Sequence, residues 1–170
     1  FVPLESTDIT VSVKCGIATV RTRRCFRNVE DAPVEAILTM PVGSDSVVTG
    51  LNATIDGRVL VAESVGRLAA RETYEAALDA GKMAVLHEEV LHGVHVLSVG
   101  QLGPGKSVFV ELETVTCLGL GGRGLFLRIP MTVGHVYGTS PLMPVDDLSV
   151  SSSIEHRATL TVTIEDGIAI

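Results

Sequence analysis

Residues 100–116 of the chain read GQLGPGKSVFVELETVT, and this stretch decides which fold class the sequence supports. Its first eight letters match the phosphate-binding P-loop, in which backbone N–H groups at the start of a helix hold the phosphates. The helix is therefore part of such a site. After Ser107, however, Val108, Val110 and Leu112 occupy every second position, which is the period of a β-strand.

The strand pattern changes the interpretation of the residues before it. We predict a strand over residues 108–116 that follows a strand over 94–99, with a tight turn at residues 103–105 between them. Lys106 and Ser107 then become solvated turn residues. The alternative function is a P-loop-like nucleotide hydrolase that uses Lys106 and Ser107 of the GQLGPGKS segment. It requires a helix where the sequence favours a strand.

The composition is typical of a globular domain. The chain has 170 residues, 46% hydrophobic and 19% charged, so one domain with a sizeable core is expected. No apolar run approaches the ~20 residues that span a bilayer. The formal charge of −7 argues against a nucleic-acid partner. The densest basic run, residues 21–27, holds four arginines that we interpret as one solvated strand edge.

The cysteines and the first residue leave the cellular location unknown. Cys15, Cys25 and Cys117 form neither a CxxC metal pair nor a dense disulfide pattern. Cys15 continues the apolar side of an alternating run, so we expect it to be a small buried side chain. The chain starts at Phe1 and shows no leader sequence, so targeting information is missing rather than negative.

Alternating hydrophobicity predicts strands along most of the chain. Asp56 and Gly57 are typical of a two-residue hairpin turn, which needs positive φ angles. Glycine-rich residues 119–124 are the most mobile predicted loop, and residues 134–153 are predicted to be a surface connection. The predicted strands cover residues 9–17, 18–26, 34–40, 47–55, 59–62, 84–90, 94–99, 108–116, 125–129 and 158–164.

One segment has the period of a helix instead. Tyr74 and Leu78 share a face with several alanines, which predicts an amphipathic helix over about residues 65–80. Ser64 is the predicted N-cap, and Gly81 is the predicted left-handed residue after the helix. We expect Tyr74 to bury its ring between helix and sheet and to keep its hydroxyl at the rim.

These elements indicate a mainly β fold. The predicted architecture is an antiparallel β-sandwich of about nine strands with one amphipathic helix laid over one end or edge. Helices are too few to cover a parallel sheet. Residues 1–150 are assigned to the sandwich domain, and residues 151–170 to a final strand and the start of a connection to a following domain.

The densest group of potential metal ligands is His87, Glu88, Glu89, His92 and His95. Its spacing does not fit a zinc-protease helix, which needs two histidines four residues apart around a glutamate. His87 and His92 are five apart. We therefore interpret the group as a solvated hairpin with polar histidines, and keep a zinc hydrolase built on them as a further alternative.

Other arrangements for catalysis are incomplete in the sequence. No serine lies in a GxSxG motif. Cys117 and His135 form a usable pair only if the fold brings them together. Glu111 and Glu113 share a strand face, which is typical of the solvated side of a strand. No catalytic, cofactor-binding or metal-binding residue is assigned on this basis, and no cofactor is expected.

Several motifs follow one another in a recognisable order. They are Met40-Pro41, Ile55-Asp56-Gly57-Arg58, Tyr74-Glu75-Ala76-Ala77, Gly81-Lys82-Met83-Ala84 and Val99-Gly100-Gln101-Leu102-Gly103-Pro104-Gly105. Their order resembles the VIT domain, which is named for vault protein and inter-α-trypsin inhibitor heavy chains. The resemblance runs from about residue 9 to residue 144, and its last motif accounts for the apparent P-loop.

The resemblance implies a non-catalytic β-sandwich that usually precedes a von Willebrand factor A domain, whose metal-dependent adhesion site lies outside this chain. The leading hypothesis is therefore a protein–protein interaction or scaffold module. Its expected partner is an adjacent A-type domain or another protein, with no nucleic acid and no membrane segment in this chain. No catalytic residue is carried over by the resemblance.

Overall fold

The computed structural model describes residues 4–131 and 156–165, and strands dominate them. The mainly β fold class predicted from alternation is confirmed, with one helix among the described residues. In chain order the elements are β1 (Leu4–Lys14), β2 (Ile17–Arg27), β3 (Val34–Pro41), β4 (Ser46–Ile55), β5 (Arg58–Val61), α1 (Arg67–Asp79), β6 (Ala84–Leu91), β7 (Val94–Leu102), β8 (Ser107–Cys117), β9 (Gly119–Gly121), β10 (Gly124–Phe126) and β11 (Arg157–Glu165).

The larger sheet has six strands in the order β11-β1-β2-β8-β4-β5. Every neighbouring pair is antiparallel except β1 and β11, which run parallel. The sequence predicts only antiparallel pairs. A parallel pair is possible here because most of the chain separates β11 from β1, whereas strands joined directly by a hairpin must be antiparallel.

The first hairpin corrects the expected position of Cys15. β1 ends at Lys14 and β2 starts at Ile17, so Cys15 and Gly16 form the turn, with φ angles of 50° and 78°. Cys15 is exposed there, whereas Cys25 is buried. The prediction of a buried Cys15 is wrong because a two-residue turn lets the alternating pattern continue from one strand into the next.

The smaller sheet, in the order β3-β7-β6, packs its inner face against the larger sheet. Phe26 and Val108 from the larger sheet and Leu97 and Leu102 from the smaller one are fully buried between them. Farther along β1 and β2, the smaller sheet no longer covers the apolar side chains. Residues of the segment 118–129 pack there instead.

Helix α1 lies against the outer face of the smaller sheet. A Cβ added at Gly100 of β7 would lie 2.3 Å from Leu78 Cδ2 and 2.6 Å from the Tyr74 hydroxyl. Glycine at this position therefore lets the helix approach the sheet closely. Tyr74 is buried as predicted, and its hydroxyl donates a hydrogen bond to Glu35 at 2.7 Å.

The two ends of α1 differ in how well the sequence predicts them. Gly81 adopts a φ of 66° after the helix, as predicted. The predicted N-cap Ser64 is wrong, because Gly66 is the N-cap and no side chain caps it. The Ala62 N–H still bonds to the Leu51 carbonyl at 2.9 Å, so the chain leaves the sheet only after residue 62.

Residues 119–126 form a short hairpin, although a mobile loop is predicted over residues 119–124. The strand predicted over residues 125–129 is observed only as the end of β10, at residues 125 and 126. β9 and β10 pair in antiparallel fashion, and a Cβ added at Gly119 would lie 2.4 Å from the Phe126 ring. A glycine-rich run has no apolar alternation to reveal a strand, so the sequence misses this hairpin. The predicted surface connection, residues 134–153, lies outside the described residues.

Candidate functional site

The segment that resembles a P-loop is a turn between two strands. β7 ends at Leu102, the Lys106 N–H bonds to the Gly103 carbonyl at 3.1 Å, and β8 begins at Ser107. The strand prediction is confirmed, and the helix that a phosphate site needs is replaced by β8. The Lys106 ammonium lies 3.1 Å from the Asp56 carboxylate. The nucleotide-binding alternative therefore loses its structural basis.

A buried asparagine that the sequence does not single out holds this turn in place. Asn28 is 1% exposed, and its amide nitrogen donates to the carbonyls of Ala32 (2.7 Å) and Leu102 (2.8 Å). Its backbone exchanges hydrogen bonds with Gly105 and Lys106 at 3.0 Å. These hydrogen bonds hold the apparent P-loop against the loop after β2. They also satisfy the polar groups of the buried Asn28.

The histidine group divides into two environments. His87 and His95 stack with ring centroids 5.0 Å apart, and His95 Nδ1 lies 3.2 Å from His87 Nε2. By register they lie in the same inner rows as core residues such as Leu97. His92 is exposed at the hairpin, 3.5 Å from Glu89. The prediction of solvated histidines therefore fits His92 and is wrong for the stacked pair.

Burial keeps the stacked pair neutral. It lowers the pKa of His87 to about 4, and the nearby His95 and Arg24 act in the same direction. Burial also lowers the pKa of His95. Two neutral rings can share one hydrogen bond, with one nitrogen donating and the other accepting. In the described part of the chain, no three histidine, cysteine, aspartate or glutamate side chains are arranged to hold a metal ion.

The remaining carboxylates of the predicted groups make structural contacts. Glu88 faces α1, and its Oε1 accepts from Arg71 at 2.7 Å and Arg67 at 3.1 Å, which fastens the helix to β6. Glu113 accepts from Thr49 at 2.9 Å and Arg21 at 2.7 Å. Hydrogen bonds from these two partners lower the pKa of Glu113.

The cysteine–histidine pair cannot be described as a unit. Cys117 is exposed at the end of β8 and forms no disulfide. His135, its predicted partner, lies outside the described residues.

The four arginines of β2 do not form a solvated strand edge, because β2 lies between β1 and β8. Arg21, Arg23 and Arg27 are exposed, whereas Arg24 is partly buried on the inner face. The signal is present in the sequence, since Arg24 falls on the same alternate positions as Val20 and the other inward residues of the strand. The prediction of a solvated strand edge is therefore wrong about the edge for all four arginines, and wrong about solvation for Arg24.

The most exposed apolar part of the described chain lies between β4 and α1. Every residue from 56 to 69 is exposed, and we call this stretch the β5–α1 segment. Five large apolar residues lie in it: Val59, Leu60, Val61, Val65 and Leu68, with exposed fractions of 63%, 52%, 75%, 54% and 78%. Val65 also lines a groove of about 800 Å³ between β4 and α1.

The edge of the larger sheet is open at the same place. β5 pairs with β4 and has no strand on its other side among the described residues. Its side chains are exposed on both faces. Such an edge offers free backbone N–H and C=O groups next to apolar side chains, which is how a sheet accepts another chain.

Comparison with known families now identifies the fold. Residues 4–114 match the model of the Vault protein inter-alpha-trypsin domain, abbreviated VIT. These residues include both faces of the sandwich, α1 and the turn that resembles a P-loop. The chain belongs to the VIT family. The resemblance inferred from the order of motifs is confirmed.

Relatives of this VIT domain are larger proteins. It is 34% identical to von Willebrand factor A domain-containing protein 5A of Rattus norvegicus over 96% of the chain, and 33% identical to the human protein over 90%. It is 30% identical to the protein mono-ADP-ribosyltransferase PARP4 of Mus musculus over 78%. The chain spans 20%, 21% and 7% of their respective lengths.

The VIT domain has only a weak likeness to a solved hydrolase structure, and its described helix is not a membrane span. The solved structure of native yeast LTA4 hydrolase covers 67% of the chain with a TM-score of 0.34 and 12% identity, too low a likeness to carry a functional argument. Within the described ranges, no helix of the VIT domain has the length and apolar character needed to cross a bilayer.

Proposed function

We propose that this VIT domain is a non-catalytic protein–protein interaction module that docks through the β5–α1 segment. The observation that carries the proposal is the coincidence of an open strand edge with five exposed large apolar residues in one continuous stretch. Soluble domains normally protect edge strands with charges, bulges or covering elements. An unprotected apolar edge is typical of a surface that another protein covers.

The groove beside the segment supports a folded partner rather than a single added strand. It runs between β4 and α1 and includes residues 62–65 of the β5–α1 segment. An interface that combines apolar anchors with an adjoining depression has the anatomy of a specific contact, in which a few buried side chains supply most of the affinity.

A von Willebrand factor A-type domain of the same polypeptide is the proposed partner. The similarity to proteins named for that domain supports this choice. The similarity to PARP4 covers only 7% of that protein, which supports a module shared by proteins with different activities. In the proposed arrangement, residues 1–150 form the VIT sandwich, and residues 151–170 supply the last strand and lead toward the partner domain.

The test is binding between the VIT domain and the A-type domain encoded in the same reading frame. The double variant Leu60→Lys/Val61→Lys places two charges on the open edge. We expect it to raise the Kd measured by calorimetry at least ~10-fold, because each charge would have to be desolvated at an apolar contact. The melting temperature should stay close to that of the unmodified domain, since both side chains are exposed.

The matched control is Leu120→Lys on β9, which changes an 83% exposed leucine elsewhere on the surface and should leave the Kd unchanged. Equal weakening by both variants would point to a general charge effect and refute docking at the β5–α1 segment. A reading frame without an A-type domain, or one whose A-type domain does not bind, would refute the proposed partner.

A further inference from the structure

A cavity of about 220 Å³ lies between the two sheets, beside the inner face of β2. Apolar side chains such as Ile9, Val20 and Met40 make up most of its lining. It occurs where β3 of the smaller sheet and residues 127–131 meet over the larger sheet. Drug-sized ligands occupy roughly 300–1,000 Å³, so this cavity suits a smaller molecule.

The polar groups that line the cavity are cationic or neutral. Arg24 reaches it from β2, while Arg128 and His156 line it from the segments on either side of residues 132–155. Threonine hydroxyls from β1, β2 and β8 add hydrogen-bonding groups. Neither aspartate nor glutamate occurs among the described lining residues, although the whole chain carries a formal charge of −7. The lining therefore favours an anion.

Arg24 is the deepest of these cations. Its neighbours across the strands are Thr7 and Val110, both buried on the inner face of the sheet. Burial lowers the pKa of Arg24 to about 10, so the guanidinium is still protonated at neutral pH. Its guanidinium forms no hydrogen bond or ion pair with the described residues. A partly desolvated cation of this kind is stabilised by an opposite charge.

We propose that this cavity binds a small monocarboxylate with an apolar chain, whose carboxylate pairs with Arg24. A guanidinium holds a carboxylate with two parallel hydrogen bonds, and one arginine is enough for that geometry. The threonine hydroxyls can donate to the remaining lone pairs. The apolar lining accommodates the hydrocarbon chain, whose burial adds to the affinity. This site is separate from the β5–α1 segment and does not depend on the proposed protein partner.

The test is a titration of the ¹⁵N-labelled chain with sodium octanoate, followed by NMR chemical shifts. We expect saturable binding with a Kd on the order of 1 mM or tighter, as a ten-heavy-atom ligand can provide. The Arg24 side-chain Nε–H and the backbone amides of β2 should move most. Octanol, which has the same tail without the charge, should bind at least ~10-fold more weakly, and acetate, which has the charge without the tail, should not saturate.

Arg24→Met is the decisive variant, because methionine keeps an unbranched apolar side chain and removes the charge. It should raise the Kd for octanoate at least ~10-fold. The matched control is Arg23→Met on the next residue, whose guanidinium lies outside the cavity, 4.2 Å from the centre of the Phe109 ring. That variant should leave the Kd unchanged. Should Arg24→Met not fold, the ratio of octanoate to octanol binding on the unmodified chain decides the question.

Three results would overturn the proposal: no saturable octanoate binding, equal binding of octanol and octanoate, or equal weakening by Arg23→Met and Arg24→Met.

A further experiment tests whether acidic side chains of the chain itself occupy the cavity. Asp146 and Asp147, outside the described residues, are changed together to asparagine. If octanoate binds only to that variant, carboxylates of the chain itself occupy the cavity, and an external ligand is refuted.

Discussion

The two ends of the sandwich interior are packed in opposite ways. At what we call the turn end, Phe26, Val108 and Leu102 are at most 1% exposed, and the buried Asn28 has several partners. At what we call the cavity end, the inner row of β2 carries Arg24 and Thr22 beside an open space. Both ends belong to the same two sheets, so the contrast comes from the side chains.

The two ends therefore differ in how much they contribute to the stability of the fold and to ligand binding. Close packing with satisfied polar groups lowers the free energy of the folded state, as it does at the turn end. A cavity lined by a cation that has no ion-pair partner among the described residues contributes less, because contacts are missing and a charge is partly desolvated. Such an arrangement is expected where a site is kept for a ligand. Variants that perturb each end separately test this difference.

The largest effect is expected from Phe26→Ala at the turn end. Removing a ring that is 1% exposed leaves a cavity among closely packed residues and should lower the free energy of unfolding by about 3–5 kcal/mol. Urea denaturation measures the loss. Phe126→Ala is the matched control, since that ring is 55% exposed and should cost much less. Similar losses for the two variants would show that the turn end is not the tightly packed part.

A smaller loss is expected from Asn28→Asp, which keeps the shape and removes the amide donors. The carbonyls of Leu102 and Ala32 would then face a carboxylate oxygen, so stability should fall by about 2–3 kcal/mol. Denaturation with urea at pH 7 checks this value. Asn52→Asp on β4, whose side chain has no described hydrogen bond, is the control and should change stability little. An unchanged stability in Asn28→Asp would mean that the turn is held by its backbone bonds alone.

The smallest of the three effects is a pH dependence at His87, which lies close enough to Arg24 of the cavity end to be affected by its charge. His87 has a pKa of about 4 in the folded chain and an ordinary value of 6.5, so the unfolded chain binds the proton more readily between these values. Stability should therefore be fully present above pH 6.5 and fall as the pH drops toward 4, by on the order of 1–2 kcal/mol between pH 6.5 and 5. Urea midpoints across this range measure it.

Histidine variants show which ring is responsible. His87→Leu should make the stability profile between pH 6.5 and 5 less steep, and the remaining slope belongs to His95, whose pKa burial also lowers. His92→Gln should leave the profile unchanged because His92 is exposed. This range lies above the region where carboxylates with lowered pKa values, such as Glu113, lose their contribution. If the stability profile of His87→Leu is as steep as that of the unmodified chain, another group is responsible for the proton uptake.

Period and turn chemistry predict individual elements of this fold well. Alternation locates strands such as β2 and β8, and Asp56-Gly57 forms the expected turn with φ angles of 48° and 79°. Periodicity reports which side chains share a face, because that depends only on local backbone geometry. It fails at Cys15, where a tight turn preserves the alternation, and at the glycine-rich β9–β10 hairpin, where there is no pattern to detect.

The candidate sites are less predictable from the sequence than the fold. The exposure of Val59 and Val61 depends on β5 being the last strand in the sheet, which no local pattern specifies. Likewise, Arg24 falls on the inward positions of β2, yet four arginines in seven residues suggest a solvated surface. Its environment depends on the spacing of the opposite sheet and on residues 127–131, which are distant in sequence.

Local sequence patterns are enough to predict that a strand follows the apparent P-loop lysine, that the fold is mainly β, and that the motifs follow the order typical of a VIT domain. These properties follow from the local spacing of apolar residues, glycines and prolines. Three features emerge only when the chain is folded: Asn28 holds that loop, His87 and His95 stack as a neutral pair, and Arg24 faces a cavity. Each of these depends on contacts between distant strands, where burial changes the energy of a polar group and local spacing contains no information about its partners.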